Sequence, residues 1–540
     1  PAPVRPEVGY PSDMTRTTRS VRRPACTWGL VSAVLLGLLA WSPVPTEARA
    51  DGTVGRLNAP FQNVPDQRRS DLILLPLLAA LPEPPSALAT VEDAMRLSAR
   101  DSGWSAASVW AESAPARAVL EAIERVTRER DFRIAYAFAQ PYGAEGVPID
   151  IIAAGLYTEL GDPPLLAGAR HQYMDALTLA AKLSHVEATR LAASGEVRAA
   201  VDVLIRWAAF SRQMGDRAFA REWVWGMTQI ALAMERIRDV VYVDALAQRR
   251  FTPRDAEEVI AVLDPIGGFL GLERLAPPRG DRAAAEQIAE RVLTASGART
   301  DLFATTLARI GASERPLRLF GEASRYERGS GGHVGLGEAR RVIEGVFGDL
   351  ETRWSLAVDN PRLVQPFATD RLARPDVQAI AAAVRARGWD PTELMAMRDV
   401  VRVEVVGTRH ALGIMGYRAA FGSFPPQISS IRPRWLPAIE ADPLNRDRTR
   451  GRVPPLEFFV PIRDTRASRE PHVVVGTGYF GTAFSVRLFD DTFVLYSVGF
   501  DGQRNFGERI ENNWREAGRN QDYLIWPPVI SLSRQAASGG

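Results

Sequence analysis

The feature that most restricts this chain is a run of large apolar residues at helical spacing. Phe219, Trp223, Met227, Ile230, Met234, Ile237 and Val241 follow one another in steps of four and three. That rhythm puts all seven on one stripe of a single long helix, and a stripe of this kind has to be covered by other elements. Helical patterning of the same sort prevails from Asp71 to about Ala420. "DLILLPLLAAL", Asp71 to Leu81, is apolar but is interrupted by Pro76 and is shorter than the roughly 20 residues of a membrane span. It reads as a buried helix or a docking segment. "FTPRDAEEVIAVLDPIGG" carries its own ends: Thr252 as N-cap, Pro253 at the first position, Asp255 in the first turn, then Pro265, Gly267 and Gly268 as the stop. Further helices are expected near 281–296, 336–357 and 374–387, with the glycine-rich "YERGSGGHVGLGE" as a linker among them. A last long helix starts at Asp390 and Pro391, with Glu393 completing its cap, and runs to about Phe421. Trp207, Phe210, Trp223 and Trp225 can line a groove, but at helical spacing they read as core.

Beyond Phe421 the period changes from helical to two. "AFSVRLF", the Asp490-Asp491 turn and "TFVLYSV" together predict a β-hairpin. Just before it, "HVVVGTGYFG" holds G-x-G-x-x-G at Gly476, Gly478 and Gly481. A dinucleotide loop of that form opens a helix whose N-terminus holds a pyrophosphate, whereas an alternating strand follows here, so a hairpin or bulge is expected. The five histidines, at 171, 185, 333, 410 and 472, show no ligand spacing of three or four, and neither H-E-x-x-H nor G-x-S-x-G occurs.

The first fifty residues read as an address. Arg16, Arg19, Arg22 and Arg23 precede the apolar "WGLVSAVLLGLLAW", and Ala48 and Ala50 supply a small-x-small cleavage pattern, so export with cleavage after Ala50 is expected. Met14 stands where such a leader would begin, and contact with a membrane follows only if the apolar run is kept as an anchor. The single cysteine, Cys26, would leave with the leader, which excludes disulfides, thiolate metal sites and a cysteine nucleophile from the mature chain. Cleavage removes six arginines and three acids and takes the formal charge from +2 to −1, a balance that gives nucleic acid no electrostatic footprint. Lys182 is the only lysine; the arginines are spread among Asp and Glu and read as solvated helix faces.

Two resemblances bear on function. "LSHVEATRLAASGEVRAAVDVLIRWAAFSRQMGD" reads as two helices joined at Ser194-Gly195 and resembles a tetratricopeptide-type hairpin, although no repeat recurs at a fixed period. From about Arg409 the chain resembles the globular domain of the major pseudopilins of type II secretion. "HALGIMGYRAAFGSFPP", "WLPAIEADPLN" and "FVLYSVGFDG" carry the likeness, through Ala411, Leu412, Tyr417, Gly422, Phe424, Pro425, Leu436, Pro437, Asp442, Pro443, Tyr496, Ser497, Gly499, Asp501 and Gly502. The resemblance implies a long helix laid on a small antiparallel sheet, and a loop after the last strand that binds calcium, with Asp501 and Asp522 as its aspartates. Hard oxygen donors on such a loop suit that ion. Departures are the arginines of this loop, Arg504, Arg509, Arg515 and Arg519, and the apolar run lying hundreds of residues upstream of the domain.

The expected architecture is mainly α and multidomain: a leader (1–50), a helical domain (51–270) built as a bundle or irregular array, a second helical subdomain (271–388), a pseudopilin-like α+β domain (389–533) and a disordered tail (534–540). The expected function is an exported, non-enzymatic scaffold or binding protein of the cell envelope, associated with a secretion or pilus-like assembly and with proteins as partners. The alternative is an exported hydrolase with its site between the helical region and the sheet.

Overall fold

The computed structural model describes residues 52–296, 335–366, 391–447, 452–464, 470–477, 483–511 and 521–537. The leader and the expected helix at 374–387 lie outside them. Eleven helices come first: α1 (Gly52–Gln62), α2 (Ser70–Ala79), α3 (Val91–Arg96), α4 (Trp104–Glu112), α5 (Ala114–Thr127), α6 (Ile149–Ala153), α7 (Tyr173–Ser194), α8 (Val197–Met214), α9 (Ala220–Ala247), α10 (Pro253–Val262) and α11 (Gly280–Val292). Two two-residue strands, β1 (Thr158–Glu159) and β2 (Arg170–His171), pair before α7. Then come α12 (Leu336–Trp354), α13 (Pro391–Phe421), six strands and α14 (Val529–Ala537). The fold is therefore mainly α with small sheets near its C-terminal end. Among the described residues no helix is long and apolar enough to cross a membrane.

All seven residues of the opening stripe are buried, six of them on α9 and Phe219 as its N-cap. The apolar α2 keeps Pro76 inside it and buries Leu74, Leu75 and Leu78. At α10 the anticipated cap forms reciprocally: Thr252 Oγ1 accepts the Asp255 N–H at 3.1 Å, and Asp255 Oδ2 accepts the Thr252 N–H at 2.9 Å. Trp207, Phe210 and Trp223 are core and Trp225 is half-buried.

The charged residues between the stripe positions of α9 are not solvated. Glu235, Arg236, Arg238 and Asp239 are all at most 4% exposed. Arg238 Nη2 donates to Glu235 Oε2 at 2.5 Å, and its Nη1 donates to Thr408 Oγ1 on α13 at 2.6 Å. The same Nη1 lies 2.6 Å from Glu404 Oε2, at an angle short of a hydrogen bond. Glu404 accepts the Tyr523 hydroxyl at 2.5 Å, and Glu235 accepts the Ile530 N–H at 3.0 Å. Asp239 takes Arg236, Arg534 and the Ser531 hydroxyl. Three guanidinium groups thus meet three carboxylates, and buried charge is tolerated because it is balanced and hydrogen-bonded.

This network corrects the expected tail, since residues 534–537 complete α14 and Arg534 is anchored on Asp239. One apolar core runs from Leu74 to Ile530 and crosses the expected boundaries at 270 and 388. α13 comes close to its neighbours at glycines. A Cβ at Gly407 would sit 2.7 Å from Ile525, and one at Gly416 would sit 2.3 Å from the Trp435 indole nitrogen. Gly422, at φ +77°, ends the helix.

The expected hairpin across Asp490-Asp491 does not form. Strand β5 (Ala483–Leu488) instead pairs with β4 (His472–Thr477), antiparallel from His472↔Leu488 to Thr477↔Ala483, and β7 (Arg509–Glu511) adds in parallel on the other side of β4. β6 (Val494–Ser497) lies in a second sheet, between β3 (Glu457–Phe459) and β8 (Tyr523–Trp526). Burial explains the split: β5 alternates exposed and buried, whereas β6 is buried at every position and needs partners on both edges. The glycine motif falls at the β4–β5 connection, with Gly478 and Gly481 outside the described residues. Gly476 is in β4, where a Cβ would sit 2.3 Å from Ile510.

Removing one carboxylate from the network should cost far more than a surface pair. Glu404→Ala removes the acceptor of the Tyr523 hydroxyl and leaves Arg238 with only Glu235 as counter-charge, and is expected to lower stability by about 3–5 kcal/mol. Urea unfolding followed by circular dichroism checks this, and a loss below about 1 kcal/mol would indicate a solvated pair instead.

Candidate binding groove

The two residues expected to bind calcium are found near each other in the C-terminal loops. Asp522, 2% exposed, begins the approach to β8; its Oδ2 accepts the Asn505 N–H at 2.9 Å and the Gly507 N–H at 2.7 Å, stapling the loop after β6. Its Oδ1 is buried without a hydrogen bond. Asp501 is half-buried and turns its Oδ1 onto the Gln503 N–H at 3.0 Å. The quoted Asp-Pro and Tyr-Ser motifs also meet: Asp442 accepts the Ser497 hydroxyl at 2.7 Å, the Leu444 N–H at 3.0 Å and the Val498 N–H at 3.3 Å. Burial pushes both Asp442 and Asp522 up to about 6 against these hydrogen bonds, and the charge of Asp501 adds to the rise at Asp522. Among the described residues no group of three His, Cys, Asp or Glu side chains is arranged to hold a metal.

A second set of ionisable groups, around Glu222, is also closed to solvent. Glu222 accepts the hydroxyls of Tyr142 and Tyr173 and the Arg217 Nε–H, the last at 2.8 Å. Arg217 is stacked 4.4 Å from both the Phe61 and Tyr142 rings. Burial works against the Glu222 charge, yet Arg217 and His171 hold its carboxyl down at about 2. Of the other histidines, burial holds His185 at about 3 and His410 at about 4, so both stay neutral at pH 7; His333 lies outside the described residues.

An open groove of about 330 Å³ lies across α5, α7 and α8. The α7–α8 turn that shapes it is made by Gly195 at φ +88°, whose N–H bonds Ala192 O at 3.0 Å while the Glu196 N–H bonds Leu191 O at 2.8 Å. Leu120 and Ile123 from α5, Leu191 from α7, and Ala199 and Val203 from α8 supply apolar lining. Glu187, 3% exposed, holds one wall to another: its Oε1 accepts from Arg117 on α5 at 2.7 Å, and Arg190 grips both its oxygens at 2.7 and 2.9 Å. Those bonds overcome burial and keep the Glu187 carboxyl below its ordinary range. Arg206 on α8 reaches Glu124 on α5 at 3.0 Å. Glu121, Glu196 and Asp202 complete the charged lining.

None of these groove residues was singled out from the sequence. Their signal was present as Arg and Glu at steps of three and four on adjoining helices, but the same pattern fits a solvated face; only the packing of α5 on the α7–α8 hairpin makes a concavity of it. No family model, curated protein or solved structure matches this chain.

The carboxyl shifts set a pH dependence. Asp442 and Asp522 ionise at about 6 when folded and near 4 when unfolded, so their contribution is full below about pH 4 and declines as pH rises through 6. Glu222, held at about 2, contributes above its unfolded value and loses that as pH falls through about 2. Asp522→Asn keeps an oxygen for the two amides and should remove roughly 1–2 kcal/mol of the decline between about pH 4 and pH 7. Urea titrations at the two pH values measure it, and an unchanged difference would contradict the assignment.

Proposed function

We propose that this protein is a non-enzymatic binding protein that seats a segment of a protein partner in the groove of α5, α7 and α8. The observation that carries the reading is the groove itself: solvent-open, apolar along part of its lining, and braced across its helices by Arg117–Glu187–Arg190 and Arg206–Glu124. A preformed groove of this kind suits recognition of an extended or helical segment, because little ordering is required on the receiving side. The leader pattern supports export, and thus a partner in the cell envelope. The likeness of the α13–β8 region to pseudopilins supports a scaffold role in a secretion or pilus-like assembly. A hydrolase site between the helices and the sheet finds less support, since the groups at that contact, Arg238, Glu404 and Tyr523, are buried and paired with one another.

A calcium ion at Asp501 and Asp522 is a second proposal, favoured by the buried Oδ1 of Asp522. Bound calcium would raise the midpoint of thermal unfolding over that in chelator, and the rise would vanish in Asp501→Ala; identical midpoints would remove the ion.

The main reading is tested by placing a photo-crosslinking residue at Val203 in the groove or, as a control, at Gly345 on α12, where nothing lies within 4 Å of an added Cβ. In envelope extracts the Val203 probe is expected to yield a discrete adduct that Ala199→Trp suppresses. Equal adducts from both positions would contradict a groove-borne function.

A further inference from the structure

Resting on the groove reading above, we infer that the segment it takes is basic, with arginine or lysine side chains alternating with apolar ones. The lining holds five carboxylates, Glu121, Glu124, Glu187, Glu196 and Asp202, against three guanidinium groups, Arg117, Arg190 and Arg206. Those three cations are already engaged: Arg117 and Arg190 share Glu187, and Arg206 is on Glu124. Glu121 and Glu196 are both exposed, and neither faces a guanidinium group across a salt bridge among the described residues; Glu196 accepts the Ser194 hydroxyl at 3.0 Å and acts on Arg190 only through its charge, without contact. Asp202 is met by Arg198 at 3.1 Å, but Arg198 also serves Glu258 at 2.9 Å and Asp255 at 3.8 Å, so one cation is divided among three acids.

An acidic ligand would have to displace Glu187 or Glu124 from its arginine and would then lie beside the remaining carboxylates. A basic ligand meets Glu121 and Glu196 without breaking any of these bonds, and its apolar side chains reach Leu120, Ile123, Leu191 and Val203. On α5 the lining runs from Arg117 to Glu124, eight residues and roughly 10 Å of helix, which matches about three residues of extended chain. One or two basic side chains therefore fit, and the attraction is a surface one that salt should weaken.

The test uses fluorescein-labelled octapeptides in which leucine alternates with arginine, with serine or with glutamate, titrated with the protein and followed by anisotropy at low and at high ionic strength. The arginine peptide is expected to bind about tenfold more tightly than the other two, to weaken about tenfold at high salt, and to weaken similarly with Glu121→Lys combined with Glu196→Lys. Both substituted positions are exposed, and the salt series on the unaltered protein needs no variant at all. Equal binding of the arginine and serine peptides, or tighter binding of the glutamate peptide, overturns the charge preference; if Ala199→Trp abolishes that binding, the groove reading still stands. Absence of binding by every peptide overturns the preference and counts against the groove.

Discussion

The pairing of Arg238 with Glu235 and Glu404 is the constraint on which the rest of this structure depends. It lies where the central helix α9, the long helix α13 and the last strand and helix of the chain come together. Buried ions are costly unless every one of them is matched, so four elements separated by up to about 300 residues are held to a single relative placement. An apolar contact would tolerate sliding along the helix, whereas a carboxylate shared between a guanidinium group and a phenol does not. Desolvation raises the Glu235 carboxyl, with Glu404 adding to the rise against Arg238, and lowers the Arg534 guanidinium to about 10. Both are what a balanced but crowded charge cluster produces.

The same cluster reaches the groove. Arg236, on the face of α9 adjoining Arg238, donates to Thr189 on α7 at 2.6 Å, two residues from the Glu187 that bridges Arg117 and Arg190. One wall of the groove is thereby tied to the interior that anchors α14 through Asp239. A binding surface made of exposed side chains on loosely packed helices would lose affinity to reordering; here the charged lining stands on helices whose opposite faces are fully committed to the core.

Much of the helical architecture was legible in the residues. The α9 stripe, the Thr252 cap, the Gly195 turn and the Gly422 stop each follow from local chemistry that does not depend on distant partners. What was not legible is what long-range packing decides. The acids and arginines of "MERIRDVV" look like the polar side of an amphipathic helix, and only the arrival of α13 and residues 523–534 on that side buries them. "AFSVRLF" and "TFVLYSV" look like two arms of one hairpin, but the unbroken apolar run of the second marks a central strand, so they part into different sheets. At the loop after β6, Asp522 could be picked out by its resemblance, while its bonding to the Asn505 and Gly507 amides depends on how the loop folds back. The groove was hidden for the converse reason: Glu121 and Glu196 are ordinary surface acids until three helices set them around one concavity.

Hydrogen exchange of the native protein is the most direct measurement of this single, charge-locked unit. Amides in α9 around Arg238, in α13 around Glu404 and in β8 should share one high protection, and Glu404→Gln should lower all three together. Rapid, independent exchange of β8 while α9 and α13 keep their protection would contradict it, since the C-terminal sheet would then be a separate body resting on the helices.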